Sequence, residues 1–186
     1  MILSAYGTIT YDGIEIANIL KCPAVYFERM RNKYQYVTHR VEYGIRADYL
    51  AYTLYGNSNL QWIFGVLNPQ IKDGGFNDWL LNQEELYEYT KHKYSQYATP
   101  DDIHHHEDAD GRIWYNVTNK EDDPFRWFNA DDDGEETLYT GVMVPRSNLE
   151  YERDLNDDKF KIINIVQPND INNFVTDFLE EVRKGE

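Results

Sequence analysis

The sequence predicts an α+β fold, and three observations carry that reading. Asp12-Gly13 sits between alternating polar and apolar residues, a strong hairpin signal because both turn positions favour positive φ. Two short apolar-periodic segments flank Tyr55-Gly56-Asn57. Near the C-terminus, Ile171, Phe174, Val175, Phe178, Leu179 and Val182 recur at three- and four-residue steps, which is one face of an amphipathic helix.

In chain order, the hairpin leads to Pro23 and to residues 24–33, readable as a short helix or an extended arm. Residues 36–45 are β-branched and aromatic, hence a strand. A first helix follows, with Leu50, Ala51 and Leu54 on one face and Asp48 in the first turn, where an acid favours the helix dipole. Gly56-Asn57 tolerates the left-handed conformation that ends a helix. A second helix over 59–67 carries Leu60, Ile63, Phe64 and Leu67, and Asn68-Pro69 stops it. Gly74-Gly75 marks a loop, and residues 79–94 read as another helix. Asp110-Gly111 suggests a second hairpin, residues 118–136 a long acidic loop pinned by Phe125, Trp127 and Phe128, and residues 160–166 a strand. The expected organisation is an N-terminal hairpin and arm (1–35), a small strand–helix–helix–strand module (36–82), a helix with an aromatic and acidic hairpin and loop region (83–140), and a C-terminal strand and amphipathic helix (141–186).

Composition narrows the function. A formal net charge of −15 repels a phosphate backbone. The basic cluster Arg29, Arg31, Lys33 and Arg40, with Glu28 among them, is expected to pair with acids of this chain or a neighbour. A helix-turn-helix reading fails because residues 59–67 hold no Arg or Lys. Cys22 is the single cysteine, so no internal disulfide can form and a reducing compartment fits. No signal peptide is apparent, and no apolar run approaches the roughly 18 residues of a membrane span. Aromatic residues make up 15 %, with 16 Tyr. That excess leans towards contacts with other chains, where Tyr and Trp are enriched.

His104-His105-His106, flanked by Asp101, Asp102, Glu107 and Asp108, invites a metal. Adjacent histidines alternate faces, however, and no further ligand stands at a defined spacing, so the run reads as a solvated hairpin strand. Asn129, Asp131, Asp133 and Gly134 resemble the front of a calcium loop, but Thr140 occupies the place of the closing carboxylate. No nucleophile elbow, phosphate-binding loop, zincin helix or cysteine–histidine pair is present. No catalytic, cofactor-binding or metal-binding residue is therefore expected. The candidates are interface residues: Trp62, Trp114, Phe125, Trp127, Phe174, Phe178 and Leu179, each also readable as core.

Residues 41–71 resemble a LysM module, with Asp48, Leu50, Tyr55, Gly56, Asn57, Asn68 and Pro69 in its motif places. The module's Gly-Asp-Thr loop, part of its glycan-contacting surface, is replaced by Arg46-Ala47-Asp48-Tyr49, a departure that argues against N-acetylglucosamine binding. Over its whole length the chain resembles the baseplate wedge proteins of T-even-type contractile-tail bacteriophages that carry a LysM-like domain. Three blocks carry the likeness: Leu50-Ala51, Leu54 to Asn57, Leu60 and Trp62; then Tyr115 to Val117, Asp122, Pro124, Phe125 and Trp127; then Lys161 to Ile163, Asp170 to Asn172, Phe174 and Asp177. The resemblance implies a structural, non-enzymatic part of the virion tail baseplate, assembled in host cytoplasm, which joins neighbouring wedge subunits around the hub. Its implied partners are other wedge proteins, with no nucleic acid, no membrane and no cofactor. A LysM-type peptidoglycan- or chitin-binding module is the alternative.

Overall fold

The structure, a computed structural model, describes residues 8–17, 23–71, 78–131 and 136–184. The chain divides into two compact units, residues 1–80 with 157–186, and residues 81–156. The Gly74-Gly75 loop and the Asp133-Gly134 pair lie outside the described residues.

The first unit opens with β1 (Thr8–Tyr11) and β2 (Ile14–Ala17), an antiparallel hairpin. Asp12 and Gly13 take φ of 47° and 75°, the paired left-handed turn whose twist matches the strands. Then come α1 (Pro23–Met30), a 3₁₀ turn at Arg31–Lys33 and β3 (Tyr36–Arg40), so the helix-or-arm alternative resolves to a helix. The strand expected over 36–45 ends at Arg40. Helix α2 (Ala47–Tyr55) closes on Gly56 in the left-handed conformation, φ 71°. The second helix of the pair is split: a 3₁₀ turn at Ser58–Leu60, capped by the Asn57 side chain, precedes α3 (Trp62–Leu67).

Two apolar clusters fill this unit. One joins Phe27, Met30, Ile63, Val66, Leu67, Val166, Phe174, Phe178 and Val182. The other joins Val41, Leu50, Ala51, Phe64, Ile71, Trp79, Ile163 and Ile165. Helix α3 contributes to both, which explains why Ile63, Phe64, Val66 and Leu67 are all buried on a helix of six residues. Such a helix is too short to hold itself in water, and its packing supplies its stability. The strand paired with β3 is β10 (Ile162–Val166), antiparallel and with Thr38 opposite Asn164. Helix α6 (Ile171–Lys184) buries Ile171, Phe174, Phe178 and Val182 on the face its periodicity marks.

Asn68 joins these parts. It is 1 % exposed; its Nδ2 donates to the Phe64 carbonyl (2.8 Å) and the Asn164 carbonyl (2.9 Å), and its Oδ1 accepts from the Asn164 amide (2.7 Å). One side chain thus ends α3 and pairs both backbone groups of a residue in mid-strand. Beside it, the Tyr55 hydroxyl donates to the Val166 carbonyl at 3.2 Å.

The second unit runs α4 (Gln83–Tyr94), β4 (Ile103–Asp108), β5 (Ile113–Trp114), β6 (Val117–Lys120), β7 (Asp123–Asn129), β8 (Thr137–Thr140), β9 (Met143–Ser147) and α5 (Asn148–Phe160), whose residues from Asp157 onward belong to the first unit. Helix α4 starts at Gln83, four residues later than expected. Asn82 and Glu85 form a reciprocal capping box that sets the start, while Trp79 leaves the helix to donate its indole N–H to the Ile45 carbonyl at 2.7 Å. The sheets are β5-β4-β9 and β6-β7-β8, both antiparallel. The loop expected over 118–136 is therefore corrected: its described part is largely the second sheet. Pro124 stands in β7 next to an irregularity in the β6 pairing, where a missing N–H is tolerated, and its carbonyl accepts from Asn119 Nδ2 at 3.1 Å.

Replacing Asn68 with Ala strands the Asn164 amide and carbonyl, each worth about 1–3 kcal/mol when left unpaired. Asn68→Ala is expected to lower the unfolding free energy by about 3 kcal/mol, read as a drop in the urea midpoint at unchanged slope. Tyr55→Phe is expected to cost about 1 kcal/mol or less.

Candidate assembly surfaces

The predicted contact residues distribute unevenly between interior and surface. Phe174 and Phe178 are fully buried, their rings stacked at 6.1 Å, so their area is spent inside the chain's own core. Leu179 is half-buried against the same cluster, and Trp62 lies half-buried with its ring 5.0 Å from that of Phe178. Trp127 is buried; its Nε1 donates to the Gly141 carbonyl (3.0 Å) and its ring packs 4.9 Å from His106. Trp114 is half-buried, donating Nε1 to Asp108 Oδ2 at 3.0 Å. Phe125, 56 % exposed, is the one of the seven left facing solvent.

The motif residues of the first unit mostly do structural work. Asp48 accepts from Arg46 Nε and Nη2, both at 3.1 Å, and from the Tyr49 amide at 2.9 Å. The Arg46 hydrogen bonds hold its carboxyl below the ordinary carboxylate value. Leu50 and Asn68 are buried, Tyr55 is half-buried, Gly56 and Asn57 shape the turn, and Pro69 is exposed. The surface that α2 offers comes from residues the sequence reading passed over. Tyr49 and Tyr52, one helical turn apart, are each 59 % exposed.

In the second unit the histidine strand is no solvated hairpin. His105 and His106 are 4 % and 8 % exposed, and a bulge in the β4–β9 pairing falls between Ile103 and His105. The bulge makes His104 an extra residue, so it no longer alternates with His105. Their Nδ1 atoms lie 2.9 Å apart, and His104 stacks on Tyr151 with ring centroids 3.9 Å apart. Tyr115 touches both imidazoles. Below them Glu152, 3 % exposed, accepts from Lys93 Nζ (2.7 Å) and the Tyr94 hydroxyl (2.9 Å), while Glu107 is clamped by Arg146 at 3.1 Å. Asp108 accepts from Trp114 and the amides of Asp110 and Arg112. Among the described residues, no group of three or more His, Cys, Asp or Glu is arranged to hold a metal. Helix α5, which the sequence reading missed, displayed a readable start: Glu150 accepts from the Ser147 amide and the Glu150 amide donates to Ser147 Oγ, the Ser-x-x-Glu capping box. No helix among the described residues is long and apolar enough to cross a membrane.

A family model described as "Base plate wedge protein 53" matches residues 1–181 of this chain. The chain is also similar to baseplate wedge protein gp53 of Enterobacteria phage T4, 26 % identical over 173 residues that cover 92 % of this chain and 86 % of that protein.

His104 and His106 both sit below the ordinary histidine value of 6.5, first through burial and then through the neighbouring His105. The fold therefore holds them neutral, and the unfolded chain takes up protons first as pH falls. Their contribution is complete above pH 6.5 and drains away as pH descends through the lower folded values. Unfolding free energy is expected to be flat from pH 8 to about 7 and to fall as the pH drops below 6.5. His104→Phe, which keeps a ring on Tyr151, is expected to flatten that limb. Urea titrations at stepped pH make the comparison.

Proposed function

The chain belongs to the base plate wedge protein 53 family, and from that membership we propose that it joins neighbouring wedge subunits while a contractile-tail baseplate closes around its hub. Its role is structural, in the wedge of the tail baseplate, among other baseplate proteins. The single observation that carries this is the family match across residues 1–181. Assembly in the host cytoplasm and the lack of enzymatic activity are part of the same reading. So is the assignment of surfaces: Phe125 in the second unit and the Tyr49–Tyr52 face of α2 in the first are the anchors, because they combine aromatic area with exposure. Trp62 and Leu179 pack on the cluster that Phe174 and Phe178 fill, Trp114 and Trp127 pack within the second unit, and all six are read as core rather than contact residues.

The test is a tagged chain expressed during phage production and sized after purification. Recovery in a large particle containing tail proteins is the expected result, and a free monomer throughout assembly would overturn the reading. Within that experiment Phe125→Ala is expected to weaken incorporation by about tenfold or more, the loss of an interface anchor worth about 1–2 kcal/mol. Its melting temperature should stay within a degree or two of the parent, since an exposed ring contributes little to folding.

A further inference from the structure

The two edges of the β3–β10 sheet are treated differently by the chain. The Val41 amide donates to the Lys161 carbonyl and the Gln167 amide to the Gln35 carbonyl, which fixes the odd-numbered residues of β3 as those bonded to β10. Tyr36, Thr38 and Arg40 therefore turn their N–H and C=O groups away from β10, and Ile162, Asn164 and Val166 turn theirs away from β3. On the β10 side these groups are closed by side chains: Asn68 takes both groups of Asn164, and the Tyr55 hydroxyl takes the Val166 carbonyl. On the β3 side, among the described residues, nothing pairs the outward groups of Tyr36, Thr38 and Arg40, and no third strand is present. Val37, Thr38 and Arg40 are exposed.

An open edge invites strand addition, and soluble proteins ordinarily blunt or cover one. A two-stranded sheet also gains by acquiring a third strand. Arg40 stands at one end of the edge without a carboxylate partner among the described residues, and Val37, 43 % exposed, stands near the other. We propose that β3 receives an extended segment of a neighbouring baseplate chain, which adds as a third strand through the backbone groups of Tyr36, Thr38 and Arg40 and sets an acidic residue against Arg40 and an apolar one against Val37. The recognition is main-chain pairing with side-chain selection, as in other strand additions. A second copy of this chain fits less well: antiparallel self-pairing about Thr38 would bring together two chains of net charge −15 and leave Arg40 facing Tyr36.

The inference rests on the wedge reading, and the experiment separates the two. Amide hydrogen exchange at single-residue resolution is measured on the free chain and on the chain within purified wedges. In the free chain Tyr36, Thr38 and Arg40 exchange fast while Val37 and His39 are protected. Within the wedge the three fast amides are expected to slow by about tenfold or more. Thr38→Pro removes an N–H that makes no bond to β10 and is expected to keep the parental melting temperature while losing incorporation; Arg40→Glu is expected to lower incorporation as well. Unchanged fast exchange at these amides in a chain that has joined the wedge overturns the edge proposal and leaves the wedge reading standing. Slowed exchange in the isolated chain with a doubled mass assigns the edge to a second copy and also overturns it. A chain that never enters a wedge removes both.

Discussion

The carboxamide of Asn68 is the contact on which the first unit depends. Helix α3 has six residues and buries four of them into two different clusters, so its position decides where both cores lie. A helix that short has no stable register of its own. Asn68 supplies one by spanning from the last turn of α3 to the backbone of Asn164, 96 residues further along the chain. A glutamine would be too long to serve both Phe64 and Asn164, an aspartate would lack the donors, and an aliphatic residue would leave strand groups without partners in a buried position. Proline at the next position fits the same demand, because it ends the helix and holds Asn68 extended, φ −125° and ψ 95°.

The second unit solves a different problem, burying polar groups within a small and strongly acidic segment. Glu152 is almost inaccessible, and a bare carboxylate there would be costly; Lys93 and the Tyr94 hydroxyl both point at it. Burial and the hydrogen bond to Glu152 push the Tyr94 hydroxyl well above the ordinary tyrosine value, so it stays a donor. The bulge at His104 brings two imidazoles together, and the short Nδ1–Nδ1 approach requires that one of them carry the proton there and the other accept it. Three elements are held by this arrangement: α4 through Lys93 and Tyr94, β4 through the histidines, and α5 through Tyr151 and Glu152. The same economy appears in the first unit, where Lys33 and the Tyr34 hydroxyl both meet Asp177 and so tie the 3₁₀ turn after α1 to α6.

What could be read from the sequence was whatever is local. Asp12-Gly13, Gly56 and the 171–182 periodicity each specify a conformation within a few residues, and each appears as read. The second sheet was hidden because Pro124 and a run of acids look like loop chemistry, while the residues that make β7 a strand, Phe125 to Phe128, show no clean alternation: both Trp127 and Phe128 are buried. The histidines depart from the expected alternation because alternation assumes a regular strand, and a bulge is invisible without its partner strand. The pairing of β3 with β10 joins residues more than 120 positions apart, as does the hold of Asn68 on the outer side of β10 across 96 residues, and nothing local announces either. The same holds for the contact residues, since periodicity identifies an apolar face on α6 without saying whether that face meets the chain itself or another.

These placements change what the aromatic richness means. Large rings in a chain with few aliphatic residues look like interface material, yet the best-placed of them, Phe64, Phe174 and Phe178, have no accessible surface. They are the core, and the chain uses rings there because each buries much area from few positions. The surface keeps exposed tyrosines, Phe125 and a strand edge, together with aliphatic side chains such as Ile14, Ile103, Val142 and Ile162. Tyrosine and backbone pairing both recognise shape and hydrogen-bonding geometry, and neither requires a large apolar patch that would aggregate before assembly. A net charge of −15 opposes the approach of free copies to one another. Phe64, Phe174 and Phe178 thus close the core, while tyrosine hydroxyls and, among the described residues, one strand edge leave directional groups open at the surface.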